Sequence, residues 1–306
     1  MPHFLTLGGL PAATLTSLLD ASAAYKRGRP HAPAPWLQGK TVAVVLEKAS
    51  TRTRVGFEVA INELGGHPIV LSTSGSQLGR GEPVEDTARV LGRMCHGIVY
   101  RTFGDERLQR MASASGVPVV NALTDREHPC QIIADLLTVR ERLGTIDVRY
   151  AWIGDGNNVA VSWLHAAAAL GLTFTLACPE GYHPDPDVVA DARAAGAAVN
   201  VVADPVDAAK GADVIMTDVW ASMGQEEEAR TRADAFAGYI VDDGLFVHAS
   251  GRAIALHCLP AHRGEEIAAT VIDGPRGLAI WDQAENRLHT HKAILELAFT
   301  GRAHGP

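Results

Sequence analysis

Positive charge is what this 306-residue chain is short of: 27 lysines and arginines face 35 aspartates and glutamates, a formal net charge of -8. No basic tail or stripe invites a nucleic acid, so any anion it binds must be small and held by a local cluster. Cysteine is also scarce. Cys95, Cys130, Cys178 and Cys258 lie far apart with no C-x-x-C pair, which excludes a disulfide framework and fits free thiols in a reducing compartment. The first lysine or arginine is Lys26, so the basic opening of a secretory signal is missing, and Leu10, Leu15, Leu18, Leu19 and Tyr25 instead suit one face of a helix. Long apolar runs are absent too. The uncharged stretch from Val159 to Cys178 is broken by Ser162, His165, Gly171, Thr173 and Thr175, and it reads as buried helix, glycine turn and buried strand, not as a membrane span. The expectation is a soluble cytoplasmic protein with neither a nucleic-acid nor a membrane partner.

What the chain does have is alternation. After a proline-rich connection at 29–36, "KTVAVVLE" reads as a buried strand and "STRTRVGFEVAINELGG" as a helix closed by Gly65 and Gly66. Strand, helix, strand, helix and strand follow through "HPIVLS", "PVEDTARVLGRMC", "GIVYRT", "DERLQRMASASG" and "VPVVNAL". A long helix opens at "HPCQ", and the pattern restarts at "DVRYAWIGDG" after a break near 143–150. This predicts an α/β protein of two doubly wound parallel-sheet domains joined by interdomain helices, 1–142 and 143–306, with the active site in the cleft between them. A C-terminal helix, about 285–300, is expected to pack back on the first domain.

The first concentration of unusual residues follows the first strand: Ser50, Thr51, Arg52, Thr53 and Arg54. A helix N-terminus carrying hydroxyls and a guanidinium is a phosphate site, and a capping role for Ser50 explains only one of the five side chains. "GDGNN" at 154–158 looks like a nucleotide loop, but Val159 stands where the third glycine of G-x-G-x-x-G belongs. His257, Cys258 and His262 are metal-ligand types whose spacing fits no tetrahedral zinc pattern. Neither a metal nor another cofactor is therefore expected.

Taken in order, "STRTR", "GSQLGRGEPVEDTARVL", "YRTF", "HPCQ", "GDGNN", "DVWASMGQE", "HCLPAHRGEE" and "AENRLH" resemble the landmarks of the aspartate/ornithine carbamoyltransferase family, and "SMG" with "HCLP" resembles its ornithine branch. The resemblance implies transfer of the carbamoyl group of carbamoyl phosphate to the δ-amine of L-ornithine, through a tetrahedral intermediate, giving citrulline and phosphate for arginine biosynthesis. It implies that Ser50, Thr51, Arg52 and Thr53 hold the phosphate, with Arg101 between phosphate and carbonyl oxygen. His128 and Thr53 would polarise that oxygen, Gln131 would accept from the carbamoyl amide, and Arg287 would reach the same ligand. The Cys258 and Leu259 carbonyls would accept from the carbamoyl nitrogen. Arg52, Arg101, His128 and Cys258 would carry the catalysis. Asp218 would take the α-ammonium of ornithine, Ser222 and the backbone at Met223 would complete that recognition, and Asn158 would bind the carboxylate. Gln77 matches a loop position that reaches a neighbouring subunit's site, which implies a homotrimer or a multiple of trimers. The chain departs from the pattern at Leu46, where an aromatic is common, and in "VGFE" at 55–58, which replaces a serine-bearing version; both departures predict altered packing behind the phosphate loop. Carbamoyl transfer to putrescine or an acylated ornithine, and a non-catalytic assembly role, are the competing readings.

Overall fold

The computed structural model describes residues 3–29, 35–73, 77–221 and 229–306. These fall into two units, Met1–Leu137 with Glu285–Pro306, and Thr138–Ala284. The first unit contains α1 (Ala12–Gly28), β1 (Thr41–Leu46), α2 (Thr51–Glu63), β2 (His67–Ser72), α3 (Val84–Met94), β3 (Gly97–Arg101), α4 (Asp105–Ser115), β4 (Val119–Leu123) and the start of α5 (Pro129–Leu143). The second contains β5 (Arg149–Ile153), α6 (Asn158–Leu170), β6 (Thr173–Ala177), α7 (Pro186–Ala194), β7 (Ala198–Val202), α8 (Pro205–Ala209), β8 (Val214–Thr217), α9 (Ala229–Ala235), α10 (Asp243–Phe246), β9 (Ile254–His257) and α11 (Ala269–Ile272). The last helix, α12 (Leu278–Thr300), begins in the second unit and ends in the first. Among the described residues no helix is long and apolar enough to cross a membrane.

Each unit is built on one parallel sheet, in the order β2-β1-β3-β4 and β7-β6-β5-β8-β9. Helices cover both faces of a parallel sheet, so its inner strands are apolar throughout and do not alternate. Val42 to Leu46 of β1 are accordingly all buried, as are Tyr150 to Ile153 of β5. In the first core Tyr100, Ile98 and Val45 of the sheet meet Leu108 and Met111 of α4. In the second, Ile153, Ile215 and Ala255 meet Phe246, Val271 and Ile280.

Strand order reverses once in each sheet. The chain leaves β1 for β2 on one side and returns to β3 on the other; likewise it leaves β5 for β6 and returns to β8. Beyond the carboxyl ends of such a strand pair the two connections diverge and leave a crevice, the usual ligand position in this architecture. Residues 47–54 follow β1 and Arg101 ends β3, while residues 154–158 follow β5 and Asp218 follows β8. The unusual residues of the sequence therefore sit at the two switch points.

Candidate active site

In the first unit the helix start is built by its own cap. Ser50 is extended (φ -160°), and its side chain accepts from the Thr53 N–H at 3.3 Å. That turns the Thr53 side chain inward, where it is fully buried, and its hydroxyl becomes a meeting point. Ser50 Oγ lies 3.0 Å from Thr53 Oγ1, Arg101 Nη1 donates to it at 3.4 Å, and Arg287 Nη2, from α12, donates at 3.0 Å. Two guanidinium groups and the positive end of a helix thus converge on one oxygen, an arrangement suited to a phosphate or another compact anion. Arg54 takes no part. It is exposed and donates to Glu58 at 3.2 Å, an ordinary i,i+4 surface pair.

The floor of this site is held by a residue the motifs did not flag. Glu47 follows β1 and is buried; it accepts from Tyr100 Oη at 2.7 Å, Thr102 Oγ1 at 2.7 Å, and Arg107 Nε at 3.1 Å. Burial alone would raise its pKa, but the bonds from Arg107, Thr102 and Tyr100 outweigh it and hold the carboxyl below its usual range. The carboxylate thereby ties β1, β3 and α4 together at the ends that present Ser50 and Arg101.

His128 and Gln131 lie at the start of α5, both buried. Gln131 donates its amide to Asp135 Oδ1 at 2.8 Å, while its Oε1 is buried and makes no hydrogen bond among the described residues. Burial first, then the charges of Arg287 and Arg101, keep the pKa of His128 well below the usual histidine value. His291, one turn beyond Arg287, is held down by burial and by Arg287 in the same way. Both rings are neutral in the folded chain over a range where unfolded histidine, of pKa about 6.5, takes up a proton. Stability is therefore complete above about pH 6.5 and falls below it, by up to about 1.4 kcal/mol per pH unit for each ring. Denaturation midpoints should be level near pH 8 and drop steeply between roughly pH 6.5 and 5. A His291→Phe variant should show a shallower drop; an unchanged slope would remove His291 from this account.

In the second unit Asp218 is the hub. It follows β8 and is buried. Its Oδ2 accepts from Asn157 Nδ2 at 2.8 Å, and its Oδ1 accepts from the Cys258 thiol at 2.9 Å and from the Val219 N–H at 2.9 Å. Asn157 also caps α6, accepting from the Val159 and Ala160 N–H groups at 2.9 and 3.2 Å. Asn157 thus both caps α6 and holds Asp218, and Asn158, the residue expected to bind the ornithine carboxylate, begins the helix proper. Gly156 is explained by packing: a Cβ there would lie 2.2 Å from the backbone nitrogen of Pro184. Asp155 is paired with Arg232 Nη1 at 2.6 Å, and the same guanidinium donates to the Trp220 carbonyl at 2.8 Å.

Cys258 and Leu259 follow β9 in a conformation that needs support. Leu259 has φ +61°, a left-handed value an L-residue with a branched side chain rarely takes. His257 Nδ1 accepts from the Leu259 N–H at 2.9 Å, so its proton sits on Nε2, 3.0 Å from Glu266 Oε1. That oxygen also accepts from the His262 N–H at 2.6 Å. Asp218, His257 and Cys258 have ligand-type atoms within 4.8 Å of one another. Both nitrogens of His257 are engaged, however, so this trio offers two metal ligands and not three.

The expected residues of the donor set, Ser50, Thr53, Arg101, His128, Gln131 and Arg287, all belong to the first unit, and Asp218, Cys258 and Leu259 to the second. Arg52 is half-buried, and Thr51 and Gln77 are exposed, the latter at the start of the 3-10 turn Leu78–Arg80. Ser222 and Met223 lie outside the described residues.

Comparison with known proteins finds two family models. The aspartate/ornithine carbamoyltransferase carbamoyl-P binding domain matches residues 2–141, and the Asp/Orn binding domain of the same family matches residues 146–298. Relatives named ornithine carbamoyltransferase from Acidothermus cellulolyticus and Geobacter metallireducens are 58% and 51% identical. The matched regions cover 96% of this chain in both cases, and 95% and 97% of those relatives. Among solved structures, the ornithine carbamoyltransferase of Pyrococcus furiosus is similar with TM-score 0.91 and 44% identity, covering 98% of this chain and 97% of that one. The anabolic enzyme of Campylobacter jejuni gives 0.93 and 39%, covering 99% and 100%.

Proposed function

The chain belongs to the aspartate/ornithine carbamoyltransferase family, and from that premise we propose that this transferase moves the carbamoyl group of carbamoyl phosphate to the δ-amine of L-ornithine. The observation that carries the donor half is the convergence of Arg101 and Arg287 on Thr53 at the start of α2. The phosphate lies at the N-terminus of α2 with Arg52, and Arg101 bridges phosphate and carbonyl oxygen. Neutral His128 donates an N–H to that oxygen, and Gln131 Oε1 accepts from the carbamoyl amide. In the other unit the buried Asp218 carboxylate takes the α-ammonium of ornithine, beside Cys258. Ser222, Met223 and Asn158 complete the amino-acid end of that site.

The neutral δ-nitrogen forms a bond to the carbonyl carbon, and the carbonyl electron pair moves to oxygen. The oxyanion of the resulting tetrahedral intermediate is stabilised by Arg101, His128 and Thr53. Stabilisation of this kind is commonly the largest single contribution to rate. The intermediate collapses as the carbon–oxygen bond to phosphate breaks, the leaving group taking the electron pair and the nitrogen losing its proton. An amine of pKa about 10.4 is only ~0.1% neutral at pH 7.4, so the site must select the free base. The reaction runs towards citrulline for arginine biosynthesis, in the cytoplasm, in keeping with the free cysteines among the described residues. The working unit is a homotrimer or a multiple of it, with exposed Gln77 reaching a neighbouring subunit's site.

The test is turnover with ornithine against putrescine at saturating carbamoyl phosphate. Putrescine has no α-ammonium or α-carboxylate, so citrulline should form at least about a hundredfold faster than carbamoylputrescine, a preference of about 2.7 kcal/mol. Equal rates would sink the acceptor assignment, and no carbamoyl transfer to either amine would sink the reaction.

A further inference from the structure

Within the first unit α2 and α12 meet along matched rows, one helical turn between members: Thr53 and Phe57 on α2, Arg287 and His291 on α12. Residues four apart share a helix face. The first rung is the Arg287–Thr53 hydrogen bond, 3.0 Å. The second is the His291 imidazole stacked on the Phe57 ring, with centroids 3.7 Å apart and planes 7° from parallel. Beyond it Lys292, fully buried, pairs with Glu63.

The second rung fits only because of the departure in "VGFE". A Cβ on Gly56 would stand 2.8 Å from both Cε1 and Nδ1 of His291, well inside the roughly 3.5–4.0 Å of an ordinary carbon contact. His291 is itself fully buried, so the ring has no open space to retreat into. Gly56 does not take a positive φ, and mid-helix glycine is unfavourable; conformation does not call for it. The close approach does. Glycine in "VGFE" and the second histidine of "LHTHK" are one structural feature.

We propose that His291 is a positioning residue for carbamoyl phosphate, its ring wedged over Gly56 and against Phe57 so that α12 delivers Arg287 to Thr53 in one register. The inference rests on the reading that Thr53 and Arg287 hold the donor. Arginine is long and rotamer-rich, and a displacement of about 1 Å at a positioning group is enough to lower rates or affinity severely. His291 touches neither substrate; it acts through the helix that carries Arg287.

The test is steady-state kinetics on Gly56→Ala, His291→Ala and the double variant, with Arg287→Ala as a control. Gly56→Ala overpacks the seam and should raise KM for carbamoyl phosphate about tenfold, with KM for ornithine within about twofold. His291→Ala should raise the same constant by about three- to fivefold, because a stack of this kind is removed. In the double variant the new methyl enters the space the ring leaves, so its KM should fall back to that of His291→Ala alone. A packing defect that merely lowered the folded fraction would reduce the maximal rate and leave both KM values unchanged. If Gly56→Ala does not fold, His291→Ala alone decides through the split between the two KM values. An unchanged KM for carbamoyl phosphate in both single variants, or multiplicative effects in the double, overturns the proposal. If Arg287→Ala also leaves that constant unchanged, the donor assignment fails; if only Arg287→Ala raises it, the positioning role alone is lost.

Discussion

Asp218→Asn should lower kcat/KM for ornithine by about a thousandfold while leaving KM for carbamoyl phosphate within about twofold of the native value. Both carboxylate oxygens already face donors: Oδ2 faces Asn157 Nδ2, and Oδ1 faces the Cys258 thiol and the Val219 N–H. A carboxylate accepts at all of these points, whereas an asparagine must turn its NH2 group onto one side. Whichever side it chooses, a donor then meets a donor in a buried place. The variant therefore loses the charged partner for the α-ammonium, worth about 1.5–3 kcal/mol, and strands a donor, about 1–3 kcal/mol more. Together these come to roughly 4 kcal/mol, three decades in rate. The ornithine-over-putrescine preference should collapse in parallel, because putrescine never used the lost contact. Steady-state rates with both amines check this; a loss below tenfold, or an intact preference, would free Asp218 from the acceptor role.

Much of this arrangement was legible in the chain, for a physical reason. Parallel strands covered on both faces leave uninterrupted apolar runs, and "TVAVVL", "GIVYR" and "RYAWI" became β1, β3 and β5. Helix starts announce themselves through local caps, so Ser50 was readable from its own turn. β9 and the short helices α9, α10 and α11 gave no comparable signal. Four to seven residues are too few for a period to show, and their burial depends on partners far along the chain. The same limit governs the site. Glu47 is separated from Arg107 by sixty residues of sequence and Asp155 from Arg232 by seventy-seven, and no spacing rule links such pairs. Asn157 was not singled out at all, and only the capping geometry of α6 turns it towards Asp218, sixty-one residues on. Arg54, one place beyond Thr53, looked like part of the basic cluster, yet the rotation of about 100° per helical residue carries it out to Glu58.

Glu266→Ala should lower both the stability and the rate, although Glu266 is eight residues from Cys258 and reaches no substrate in the proposed reaction. Its side chain is fully buried, and Oε1 receives both His257 Nε2–H and the His262 N–H. Truncation strands these two donors, at about 1–3 kcal/mol each. It also frees the His257 ring, whose Nδ1 is what holds the Leu259 N–H at 2.9 Å. Leu259 then has no hold on its left-handed backbone, which costs of order 1–3 kcal/mol to maintain. The segment should relax to an ordinary β conformation, swinging away the Leu259 carbonyl that the family resemblance assigns to the carbamoyl nitrogen. The expected outcome is a melting temperature lower by about 10 °C and kcat lower by at least about a hundredfold, of the order seen when a positioned transition-state contact is lost. Glu266→Gln keeps an acceptor opposite both donors and should recover most of the stability and all but about tenfold of the rate. Adding Leu259→Gly to Glu266→Ala separates the two consequences. Glycine accepts φ near +60° without steric cost, so the pair should regain rate but not melting temperature. If Glu266→Ala retains more than a tenth of the native kcat, the His257–Glu266 dyad is not what aims this loop.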